Sequence, residues 1–234
     1  MESLSGAPFQ TGWWSFGLGR YRPCSGTYQL YPYDSLPPLP EPDESLSWLA
    51  PLSDTIDGQM AIHRNPPEAR GALDVITAEA RGLGLTLPAA FIHLMASPAL
   101  QDRIPSCTAC FFSLDDHLIR CPGSDGAYIA AFLRDQQDCV LWYLYLTPDG
   151  AHRVLAFPGD IAIDLDEVGA GQQVTVADIA SAIRVCAPSF ASFIYRFWLE
   201  NTIWFKLHSS DAAPFTTTEQ AYLDYLTQQR ASQN

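Results

Sequence analysis

The stretch Val140-Leu141-Trp142-Tyr143-Leu144-Tyr145-Leu146 limits this chain more than any other feature. In a strand, successive side chains point to opposite faces, so a run that is apolar or aromatic at every position is apolar on both. Such a strand belongs in the middle of a sheet covered on both sides, or has one face reserved for a partner. Its neighbours read the same way: Phe111–Leu114, His117–Arg120, Tyr128–Arg134 and Arg153–Phe157 have strand character. Thr147-Pro148-Asp149-Gly150 is a strong turn between the run ending at Leu146 and Arg153–Phe157. Short connections imply hairpins, and so an antiparallel meander of four to five strands.

Helical patterns flank this block. From Pro66 to Gly82, Asn65 can cap and the two prolines suit a first turn. Ala69, Leu73, Ile76, Ala80 and Leu83 then form one apolar stripe. A short helix follows over Leu87–Met95. After the strands, Thr175 and Asp178 make a capping box ahead of Ile179, Ala182, Ile183 and Cys186. Pro188 opens a long aromatic helix, and Thr216 to Thr218 cap a final one. Helices, then strands, then helices is the order of an α+β domain, with the meander packed by N- and C-terminal helices.

Residues 1–45 differ from the rest. Trp13-Trp14-Ser15-Phe16 and Tyr28, Tyr31 and Tyr33 are interrupted by Gly and Pro too often for a helix. The segment reads as an extended, aromatic N-terminal extension packed on a domain spanning 46–234. Leu36-Pro37-Pro38-Leu39-Pro40 has polyproline character and reads as a spacer.

Charge narrows the partners. Thirteen Lys and Arg against 26 Asp and Glu give a net charge of −13. That surface repels nucleic-acid phosphate and anionic lipid, and attracts basic proteins. No stretch reads as a leader or a membrane span, and six irregularly spaced cysteines fit reduced thiols, so a cytoplasmic setting is expected.

Motifs of catalysis or cofactor binding are absent: there is no GxSxG, Walker loop, HExxH or GxGxxG, and no cofactor is expected. Cys107 and Cys110 form a CxxC followed by His117 and Cys121, a donor set that zinc would accept. The apolar Phe111–Leu114 between them favours ordinary buried thiols. Asp115-Asp116 reads as a turn, and Asp164, Asp166 and Glu167 as an acidic loop. Tyr143 and Tyr145 share one strand face and keep a polar tip, which suits a binding rim. With Asp135 and Asp138 at its edge as charge partners, that face is the expected working surface.

The order Leu87-Pro88-Ala89-Ala90-Phe91, then Ile129-Ala130-Ala131-Phe132, then Cys139–Leu146, with Pro188-Ser189-Phe190-Ala191-Ser192-Phe193 opening a later helix, resembles the SMI1/KNR4 (SUKH) superfamily. The resemblance covers about Leu85 to Leu207. The family's usual glycine turn is replaced by Ala96–Leu100, and of its "GD" hairpin only the acidic residue is kept, in Gln136-Gln137-Asp138-Cys139. The resemblance implies a non-enzymatic α+β protein-binding module: an immunity-type protein neutralising a basic toxin, or an interaction adaptor. A pocket between sheet and helices, serving an enzyme or a small-molecule binder, is the alternative.

Overall fold

A computed structural model describes residues 6–52 and 68–231. The strands are β1 (Gln10–Thr11), β2 (Trp13–Ser15), β3 (Gln29–Tyr31), β4 (Phe111–Phe112), β5 (Ile119–Arg120), β6 (Tyr128–Arg134), β7 (Leu141–Leu146), β8 (His152–Phe157) and β9 (Arg184–Ala187). The α-helices are α1 (Glu68–Gly82), α2 (Ala89–Ala96), α3 (Pro98–Gln101), α4 (Ile161–Gly169), α5 (Val176–Ala182), α6 (Phe190–His208) and α7 (Thr217–Ala231).

Helices and strands combine as expected of an α+β chain, but the sheet is not an antiparallel meander of four to five strands. It is mixed and has seven strands in the order β1-β9-β8-β7-β6-β4, with β5 also paired to β6. β6, β7 and β8 are the antiparallel meander the sequence signals. β9 extends it beside β8, and β1 joins β9 in parallel, which makes the sheet mixed. β9 falls where Ile183 and Cys186 continue the spacing of α5. The backbone turns extended at Ile183 (φ −62°, ψ 140°) and ends that helix.

β7 is central and buried at every position. Trp142, Leu144 and Leu146 pack with Phe91 of α2 and with Phe190, Phe193 and Phe197 of α6. Leu141, Tyr143 and Tyr145 pack on the other face with Ile161, Ile179 and Ile183, from α4, α5 and the turn after it. Each such side chain contributes about 1.5–3 kcal/mol on burial, so both faces are committed to the core. On α1, Leu73, Ile76 and Ala80 are buried as expected, whereas Leu83 lies beyond the helix end and is 43% exposed. The capping role read for Asn65, Pro66 and Pro67 lies outside the described residues.

Residues of the N-terminal segment pack closely on the rest of the chain. β1 belongs to the main sheet, and Trp13, Leu36, Leu46 and Leu49 share one core cluster with Trp142. Phe16 and Leu18 pack with Leu199 and Ile203 of α6 and Leu223 of α7.

The same contact encloses a charge. Glu200 of α6 is 0% exposed and accepts from Trp13 Nε1 (2.9 Å), Ser15 Oγ (2.6 Å), both terminal nitrogens of Arg22 (2.6 and 2.7 Å) and Tyr222 OH (2.5 Å). Burial pushes this carboxyl upward. The Arg22 guanidinium and the donated hydrogen bonds outweigh that push and bring it down to about 2. The N-terminal segment is thereby bolted to α6 and α7.

Candidate functional site

The expected binding rim is not a surface. Tyr143 is 0% exposed and Tyr145 3%, because α4 and α5 cover that face of the sheet. Tyr145 shares a hydrogen bond with Ser124 Oγ at 2.8 Å and meets the Phe9 ring edge-on. Asp135 is buried as well. Its carboxylate accepts from Gln137 N, Cys139 N and Tyr28 OH, so it shapes the β6–β7 turn and ties β3's approach to the sheet. Of the four residues, only Asp138 reaches solvent, with a side chain 58% exposed and a positive φ of 53° in that turn.

Asp138 leads to a site the sequence did not signal. Arg134, the last residue of β6, donates from Nη1 to Asp160 at 2.8 Å and from Nη2 to Asp115 at 3.2 Å. Asp138 lies 3.8 Å from the same Nη1. Asp115 arrives on the loop after β4, where its side chain accepts from Ala131 N and its own amide donates to Ala131 O. Asp160 is the N-cap of α4 and accepts from Ala162 N. Tyr143 supports the arrangement from beneath, its hydroxyl accepting from Ile161 N at 2.9 Å. The tyrosine expected at a rim instead holds the first turn of the helix that carries the site.

One guanidinium faces three carboxylates here, which leaves a formal charge of −2. The stretch expected to be an acidic loop is α4, and it adds more: Asp164 is pushed up from its ordinary value by burial and then by repulsion from Glu167 and Asp160. Burial also raises Asp115, against the pull of Ala131 N and Arg134. With more carboxylates than cations in the group, a further cation would be favoured there. At about 4 Å an added cation gains on the order of 4 kcal/mol of Coulomb energy from each carboxylate at a surface-like dielectric, before desolvation costs. On the same helix as Asp164 and Glu167, Ile163 is 58% exposed.

The CxxC residues are not brought together with His117 and Cys121 as a ligand set. Cys110 is buried on the α6 side of the sheet, and Cys121 on the α4 side. His117 is exposed and pairs with Glu79 at 3.0 Å. Among the described residues, no group of three or more His, Cys, Asp or Glu is placed to hold a metal. Cys107 lines a cavity of about 430 Å³ with Cys24, Trp204 and His208. Burial pushes the Cys107 thiol up, toward its neutral form.

Among the described residues, no helix is long and apolar enough to cross a membrane. Comparison with known protein families, curated proteins and solved structures finds no match.

Proposed function

We propose that this chain is a non-enzymatic protein-binding module, and that its working surface is the carboxylate cluster around Arg134 together with α4. The partner is a basic protein. The observation that carries this reading is the charge imbalance itself: Asp115, Asp138 and Asp160 on one guanidinium, with Asp164, Glu167 and the exposed Ile163 all on the adjoining helix α4. Exposed apolar anchors and charged residues together are common in protein interfaces. The acids steer a basic partner in and speed its encounter.

The resemblance to the SUKH superfamily supports the same class. In that frame the protein is an immunity-type binder that neutralises a basic toxin, or an adaptor, in the cytoplasm. Replacing Asp138, Asp164 and Glu167 by their amides tests the surface. The triple variant should remain folded and bind the partner with a slower on-rate and a shallower salt dependence. Unchanged binding by a folded triple variant would place the working surface elsewhere.

A further inference from the structure

On the opposite side of the sheet, the proline-rich segment is not a free spacer. Leu36 and Pro37 are buried, and Arg196 of α6 donates from Nη2 to Pro37 O at 3.0 Å. The same guanidinium faces the rings of Trp13, Tyr33 and Tyr222 at 5.7 to 5.9 Å. That cation is therefore engaged within the fold. Against the anchored segment opens a groove of about 690 Å³, walled by residues of 33–41, by α6 and by Tyr225 of α7.

Three features of this groove select its occupant. Its rings are tyrosines: Tyr33, Tyr195 and Tyr225 are all half-buried, so each pairs a flat apolar face with a hydroxyl. Tyr195 is held in place, with the Trp48 ring edge-on at 4.9 Å and the Trp198 ring stacked at 6.0 Å. Asp34 and Glu41 are exposed at the lining and make the groove acidic. A polyproline II strand has no internal hydrogen bonds, so its carbonyls are free to accept from tyrosine hydroxyls while its prolines lie against the rings. Its stiffness also lowers the entropy lost on docking.

We propose that this groove docks a proline-rich peptide in the polyproline II conformation, carrying an arginine or lysine that reaches Asp34 and Glu41. A second copy of this chain is disfavoured as the source. Its own proline segment is flanked by those same two acids and would bring like charge into the groove. The site is independent of the α4 surface, and the two lie on opposite sides of the sheet.

Isothermal titration with two synthetic proline-rich decapeptides, identical except for a terminal arginine or glutamate, tests this. The arginine peptide should bind saturably and at least about tenfold more tightly than the glutamate peptide. Tyr225→Ala should weaken it about tenfold. Because that change touches α7, the exposed pair Asp34→Asn and Glu41→Gln supplies a variant whose fold is not at risk, and it should weaken binding about fivefold. Absence of saturable binding up to about 1 mM would overturn the proposal. So would equal affinity for the two peptides, or indifference to the Asp34/Glu41 variant. A doubling of mass in sedimentation that Tyr225→Ala abolishes would put a second copy in the groove and overturn it too.

Discussion

Glu200 and the Asp115–Asp138–Asp160 group are both carboxylate sites organised around arginine, and they differ in their accounting of charge. At Glu200 a single carboxylate meets Arg22, Trp13, Ser15 and Tyr222, and every donor points inward. At Arg134 three carboxylates share one cation, and the outermost stands 58% exposed. The first arrangement leaves no capacity for an outside ligand and serves to hold the N-terminal segment on α6 and α7. The second leaves negative charge unspent where a partner can reach it. Acidic residues thus brace the fold where they are fully matched, and they attract where they are in excess.

The largest effect should come from breaking the matched site. Glu200→Ala leaves the Arg22 charge buried without its partner, and urea unfolding should show a loss of about 3–5 kcal/mol. A loss near zero would mean that Glu200 does not brace the fold. Arg134→Ala comes next. It removes charged hydrogen bonds from a partly buried site, so a loss of about 1.5–3 kcal/mol is expected, partly restored by added salt. Salt should do little for Glu200→Ala, and that contrast is the comparison in measurable form.

Acidity separates the two sites by sign. Glu200 has its pKa lowered from 4.5 to about 2, so its contribution is present above 4.5 and drains away as pH falls toward 2. Asp115 is raised above 3.8. Its contribution is present below 3.8 and is lost as pH rises through its folded value. Unfolding midpoints measured from about pH 2 to 6 should therefore decline less steeply on the acid side in Glu200→Gln, while Asp115→Asn should flatten the opposing trend. Profiles that superimpose on the parent protein would contradict both assignments. Smallest of all, Asp138→Asn should shift stability by no more than about 0.5 kcal/mol, since its side chain is largely in water.

The sequence made some of this legible. Periodicity located β6, β7, β8, α2, α6 and α7, because each has a long apolar pattern with a clear start or stop. β1 escaped notice because Gln10 and Thr11 are both exposed and carry no alternation. β9 was hidden by Ile183 and Cys186 at helical spacing. Alternation along β7 gives the face that carries Tyr143 and Tyr145 but not what covers it, and the acids of α4 mask the helix that does. Asp160 directly before Ile161 was an available signal, since an acid at that position can cap a helix. Arg134, Asp115 and Asp160 are brought together by the sheet from separate hairpins, and no local pattern links them.

The central claim is that charge left unmatched around Arg134 binds a basic partner. The most direct test is retention from native cell extract across a salt gradient, using the parent protein and two triple variants of equal charge. One variant carries Asp138→Asn, Asp164→Asn and Glu167→Gln; the other carries Asp74→Asn, Asp211→Asn and Asp224→Asn at exposed positions elsewhere. A basic protein should be retained by the parent and the second variant and released at lower salt by the first. Equal retention by both variants would show that net charge alone governs binding, and would contradict the claim.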